Sequence, residues 1–194
     1  MSKKPPLQNQ GFKWWEHVTE IWAVATNIYI EGTFPNGVQY DMASAIQLMH
    51  NMMVAYAKAV IAYKEAGYEG KVGIVHSLES KYPYDETKDE DVKAAKNEDV
   101  LNNQFLLDAT FLGKYRDETM EILKEAASYN DYLGINYYQS CFIRYYDGEN
   151  DIFHNGTGEK GALRFCLKDV GERMDKEGIP KTDWYREVSK TKEL

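Results

Sequence analysis

The sequence predicts an α/β fold in which parallel strands are joined by helical crossovers, with a β-rich tail after them. Three observations carry the prediction. Lys71 to Ser77 reads Lys-Val-Gly-Ile-Val-His-Ser, a compact apolar run typical of a parallel sheet buried on both faces. Asp131 to Tyr138 repeats that pattern and ends in polar aromatics. Long stretches with helical periodicity separate the strand-like runs, and after Cys141 the pattern changes to short β-like runs between turn signals.

Residues 1–10, with Pro5 and Pro6, read as a flexible lead-in, and residues 11–194 as one α/β domain. Phe12 to Glu20 is an aromatic and β-branched run that ends in a polar pair, and it predicts the first strand. Ile21 to Ile30 reads as helical or irregular, and Glu31 to Gly37 as a loop by its Gly and Pro content. Asp41 is a suitable N-cap for a long helix, since its carboxylate can accept from the free N–H groups of the first turn. Ala45, Leu48, Met52, Ala55, Ala59 and Tyr63 follow at spacings of three and four, and Gly67 is the stop. Lys71 to Ser77 is the second strand. Ser80 to Lys88, with Pro83, is read as a loop. Glu90 to Ala109 predicts a helix whose acidic first turn faces the positive end of the helix dipole. Phe111 to Gly113 interrupts it, and Asp117 to Ala127 is a further helical piece. The third strand follows, at Asp131 to Tyr138. In the tail, Phe142 to Tyr146, Ile152 to His154 and Ala162 to Leu167 are β-like, with hairpin signals at Asp147-Gly148 and Asn155-Gly156.

Composition narrows the function classes. The net charge of −8 argues against nucleic acid as a partner, because phosphate contacts need clustered Lys and Arg. No apolar run approaches the roughly 20 residues that span a bilayer, so no membrane partner is expected. The segment Met1 to Gln10 lacks an apolar core of the secretory kind, and Cys141 and Cys166 read as free thiols in a reducing compartment. The expectation is a cytoplasmic protein. His17, His50, His76 and His154 show no metal-ligand spacing, so neither a metal nor a cofactor is expected. The 15 Tyr and 4 Trp suit a large core as well as sugar stacking.

In parallel α/β folds, ligands meet the carboxyl ends of the strands. Those ends are Thr19-Glu20, His76-Ser77 and Asn136-Tyr137-Tyr138. An amide and phenols hydrogen-bond hydroxyls, aromatic rings stack on a sugar ring, and a carboxyl transfers a proton. The set therefore suits a polyhydroxylated substrate. A strand-end Glu is also commonly a solvated or structural residue, and His76 fits a site role and a structural role equally.

Several segments, taken in order, resemble one family. Thr19-Glu20-Ile21-Trp22, with Asn27 to Pro35 after it, resembles the acid/base strand and following loop of family 1 glycoside hydrolases. His50 to Val60 resembles the helix that follows, Lys71 to His76 the fifth barrel strand, Leu106 to Tyr115 the next helix and its exit, and Gly134 to Tyr138 the sixth strand. His154 to Gly161 and Pro180 to Trp184 are similar to the 6-phospho-β-galactosidase branch. The resemblance implies a partial (β/α)8 barrel of about three strands, drawn from the middle of a fold that needs about 250 residues. It also implies a retaining hydrolase of β-glycosides or phosphorylated β-galactosides. Within it, Glu20 is the general acid/base, Asn136 a sugar-binding amide and Tyr138 the tyrosine that orients the nucleophile.

The sequence departs from the family in three places. Thr19 stands where the family has an Asn that bonds the sugar's 2-hydroxyl, so that contact is weakened or lost. Met120 to Tyr132 is shorter than its family counterpart. The nucleophile's Thr-Glu-Asn-Gly motif does not occur in these 194 residues, and Glu31, Glu79 and Asp108 match no family position. An incomplete sheet leaves strand edges for self-association. Two readings follow: a glycosidase that is inactive as this chain alone, and a non-catalytic sugar-binding or chain-complementing barrel fragment.

Overall fold

β1 (Trp14–Thr19), β2 (Lys71–Ser77) and β6 (Tyr132–Asn136) form a parallel sheet in the order β1-β2-β6. This computed structural model describes residues 14–35, 37–115, 118–138, 140–146, 152–154, 165–167 and 171–174. The expected lead-in, both hairpin signals of the tail and Pro180 to Trp184 lie outside those residues.

β2 is central, and that explains its composition. Val72, Gly73, Ile74, His76 and Ser77 are all buried. Side chains two apart share a face of a strand, and Val72 and Ile74 enter the main core. Burying Ile74 completely contributes about 2 kcal/mol by apolar area alone.

α1 (Ile21–Tyr29) and α2 (Met42–Glu65) fill the crossover from β1 to β2. Asp41 caps α2 as expected, accepting from Ser44 N–H at 3.0 Å. The buried stripe differs from the one expected: it runs through Ala45, Met49, Met53, Tyr56, Ala57 and Val60, while Ala55 is exposed. The helix is apolar on several sides, so spacing alone does not fix which side meets the sheet.

The second crossover holds α3 (Asp89–Asp99), a π-helical turn at Val100–Gln104, one α-helical turn α4 (Phe105–Leu107) and a second π-helical turn at Asp108–Leu112. The helix therefore runs to Leu112 and ends at Gly113, whose φ of 68° is left-handed. The piece expected from Asp117 is shorter. β4 (Lys114–Tyr115) and β5 (Glu118–Thr119) pair antiparallel, and α5 (Glu121–Ala127) begins after them. α1, α2, α4, α5 and the second π turn contribute residues to the same core cluster as Val72 and Ile74.

The stretch read as a loop contains a strand, β3 (Lys81–Pro83). It pairs parallel with β7 (Cys141–Arg144), and β7 pairs antiparallel with β10 (Glu172–Met174). Pro83 has no N–H to give a ladder, which suits the last residue of an edge strand. Ala94 and Ala95 of α3 pack with Cys141 and Ile143 in a second small core. β8 (Ile152–His154) and β9 (Phe165–Leu167) form an antiparallel pair, so the β-rich tail was legible.

His76 lies on the same strand face as Val72 and Ile74, beneath the helix rather than in a site. Its side chain is fully buried, with Nε2 3.1 Å from Thr110 Oγ1. Thr110 spends its own hydroxyl hydrogen on Leu106 O at 2.7 Å, so Nε2–H is the donor and Nδ1 is left with an unpartnered lone pair. Burial pushes the imidazole down to about 4 from 6.5. The unfolded chain then binds the extra proton between those values, so stability is full above pH 6.5 and falls as the pH drops through 4. The loss amounts to about 3 kcal/mol. Denaturant titrations should show a flatter pH dependence over that window for His76→Gln. An unchanged slope would remove His76 from the account.

Candidate active site

β1, β2 and β6 are parallel, so their carboxyl ends share one edge of the sheet. Glu20 follows β1 directly. The register between β1 and β2 shifts between Glu16 and Thr19, and Glu20 N–H then bonds Val75 O at 3.0 Å. Its backbone is left-handed, at φ 52° and ψ 43°. That conformation costs a non-glycine residue on the order of 1–3 kcal/mol and is characteristic of functional sites.

Glu20 is also the N-cap residue of α1, and its carbonyl accepts the first helical bond, from Val24 N–H at 3.0 Å. A carboxylate there would ordinarily bond the free N–H groups of the first turn. Glu20 makes no such cap. Its carboxylate instead crosses to the end of β6, where Asn136 Nδ2 donates to Oε1 at 2.6 Å and Tyr138 OH donates to the same oxygen at 2.7 Å. Both donors meet one oxygen, which fixes the direction of the carboxyl and keeps Oε2 clear of them. Glu20 is half-buried, while Tyr138 is 57% exposed. Charge-assisted bonds of this kind are the stronger class of hydrogen bond.

Three of the four expected site residues therefore meet at one carboxylate oxygen. Thr19 is next to them in β1, but its side chain lies outside the described residues. Tyr138, expected to orient the nucleophile, here bonds Glu20. That bond to Glu20, with some desolvation, holds the phenol above its ordinary value of 10.0. Glu20→Ala is expected to bring the Tyr138 titration back down, read by NMR of ¹³C-labelled tyrosine with Tyr138→Phe for assignment. An unmoved titration would mean that the bond is absent in solution.

Sequence reading missed a polar network beside this edge. Lys81 Nζ bonds Glu79 Oε2 at 2.8 Å and Glu98 Oε1 at 3.3 Å, and the Lys81 side chain is 0% exposed. Cys141 Sγ lies 3.6 Å from Glu79 Oε2. Asn103 brackets the Glu79 peptide with both ends of its amide. The available signal was the adjacent Asn102-Asn103 pair inside an otherwise helical run, where Asn is a poor helix former. Among the described residues, no group of three or more His, Cys, Asp or Glu could hold a metal ion. No helix there is long and apolar enough to cross a membrane.

The sequence profile described as glycosyl hydrolase family 1 matches residues 8–192. The chain belongs to glycosyl hydrolase family 1. It is 47% identical to the 6-phospho-beta-galactosidase of Staphylococcus haemolyticus, over 88% of this chain and 41% of that protein. With the 6-phospho-beta-galactosidase of Staphylococcus aureus strain JH9 it shares 45% identity, over 89% of this chain and 41% of that protein. It thus spans about two-fifths of the length of these curated relatives. Among solved structures, a Thermotoga maritima family 1 glycoside hydrolase, complexed with a cyclophellitol analogue, aligns with a TM-score of 0.66 at 24% identity, covering 93% of this chain and 41% of that one. A beta-glucosidase from Exiguobacterium marinum aligns at 0.68 and 21% identity, covering 88% and 38%. At such identities the two structures show likeness of fold.

Proposed function

We propose that this family 1 chain carries the proton-transfer half of a site that hydrolyses β-glycosides, with 6-phospho-β-galactosides as the preferred class, on part of a (β/α)8 barrel. The observation that carries the proposal is the turn of Glu20 away from its helix and onto Asn136 and Tyr138. A carboxyl held through one oxygen, with the other clear of both donors, suits protonation of a departing glycosidic oxygen and later removal of a proton from water. Asn136 and the exposed Tyr138 offer an amide and a phenol that can hydrogen-bond sugar hydroxyls. The relatives named 6-phospho-beta-galactosidase support the phosphorylated substrate.

Retaining hydrolysis needs a second carboxyl about 5–5.5 Å from the first. The described contacts of the Glu20 carboxylate are an amide and a phenol, and Glu79 is committed to Lys81. The purified 194-residue chain is therefore expected to give little turnover of nitrophenyl 6-phospho-β-galactoside. Robust turnover that Glu20→Gln abolishes would show a complete site within the chain. A second reading, a sugar-binding or chain-complementing fragment, is favoured by Thr19 and by the lack of a second carboxyl among the described contacts of Glu20. The same preparation on a sizing column tests whether strand edges pair between copies. A dimer supports pairing, and a stable monomer counts against it.

A further inference from the structure

We propose that Asn103 is a positioning residue for the Glu20 site, acting through the Leu78–Glu79 backbone on Asn136. The proposal rests on the reading of Glu20 as the proton-transfer carboxyl. Asn136 is the last residue of β6, opposite Ser77 at the end of β2. Its side chain holds Glu20, so the placement of its backbone matters to the carboxyl. Beyond the ladder, Asn136 O is held by Leu78 N–H at 3.0 Å. Leu78 has left the sheet, and the next residue is fixed from outside it.

Asn103 does the fixing. Its Nδ2 donates to Glu79 O at 2.8 Å, and its Oδ1 accepts from Glu79 N–H at 3.3 Å. The side-chain amide thus takes both backbone groups of one residue, as a neighbouring strand would. Nδ2 also donates to Asp99 Oδ1 at 2.6 Å, and Oδ1 also accepts from Asn102 Nδ2 at 2.7 Å. Two donations and two acceptances complete what a carboxamide can make, and a carboxylate supplies no donor. The residue is 8% exposed and sits on the π-helical turn Val100–Gln104. A π turn shifts the side chains after it around the helix and recurs at functional sites. The path runs from Asn103 to Glu79, across one peptide to Leu78, to Asn136 O, and through Asn136 Nδ2 to Glu20. An error of about 1 Å in a reacting group can cost about 100-fold in rate, so such a clamp has consequences for catalysis.

Hydrogen exchange of side-chain amides in this chain tests the proposal. Asn103→Asp keeps the acceptor for Glu79 N–H and removes the donor to Glu79 O, while Asn103→Ala removes both. The control is Asn130, whose Nδ2 donates to Thr110 O at 2.7 Å. Either variant is expected to speed exchange at Asn136 Nδ2 about tenfold, equivalent to one hydrogen bond of about 1.4 kcal/mol, with Asn130 unmoved. Exchange that rises equally at both residues, or at neither, would assign Asn103 a general structural role and overturn the proposal. If neither variant folds, the wild-type chain decides. Similar protection of the Leu78 and Glu79 amides supports the coupling, and a Leu78 amide protected tenfold more than Glu79 overturns it. The readout involves no catalysis. Should Asn136 respond while Glu20→Gln leaves turnover unchanged in an active assembly, the functional reading fails and the positioning survives.

Discussion

Joined to the remaining part of the Staphylococcus haemolyticus relative, this chain should form an enzyme in which Glu20→Gln lowers kcat by about 10²–10⁴-fold. Gln keeps the shape of Glu, and its side-chain oxygen can still accept from Asn136 Nδ2 and Tyr138 OH, as Oε1 does. It cannot give up or take a proton. The loss should depend on the leaving group. An alkyl or sugar leaving group needs a proton as its bond breaks and shows the full deficit. A dinitrophenolate leaves without one, so its first step should be much less affected. A uniform loss across leaving groups would instead describe a damaged fold or weakened binding.

Lys81→Met is expected to destabilise the chain by about 3–5 kcal/mol, read from urea unfolding midpoints. Lys81 is enclosed, with side-chain exposure of 0%, and its ammonium stands between Glu79 and Glu98, the latter 5% exposed. Removing it takes away the ammonium that stands between two nearby carboxylates, in a place from which water is largely excluded and their mutual repulsion is weakly screened. Methionine has a similar length and fills the space, so the deficit reports charge rather than a cavity. Adding Glu98→Gln should recover part of the loss by removing one of the two negative charges. Exposed pairs contribute far less. Lys64 and Asp131, whose side chains are 25% and 35% exposed, should matter by well under about 1 kcal/mol.

The sheet was legible because its composition leaves few alternatives. Lys71 to Ser77 is apolar on both faces, as a strand covered on both sides must be. β3 was not legible, since three residues ending in proline carry no periodicity and only their partner β7 makes them a strand. α2 was found, but its buried side was placed one position off, because Ala and Met occur all round the helix. The π turns at Val100–Gln104 and Asp108–Leu112 have no spacing signature; the first is tied to Glu79 through Asn103 and the second packs against α5. Glu20, Asn136 and Tyr138 were visible as strand-end residues and through family resemblance. Their meeting on one oxygen depends on the left-handed backbone of Glu20, which no sequence pattern announces. Alternation puts His76 on the face of Val72 and Ile74, but a strand that is apolar on both faces does not say which face the helices cover.

Azide rescue tests the role of Glu20 most directly. In the joined enzyme, Glu20→Gly leaves the sugar free to transfer to a nucleophile but gives the second step no base. Azide needs none. With a dinitrophenyl 6-phospho-β-galactoside, added azide should restore turnover and yield the 6-phospho-β-galactosyl azide, retaining the substrate's configuration. The α-azide would make Glu20 the nucleophile, and no effect of azide would remove it from the chemistry.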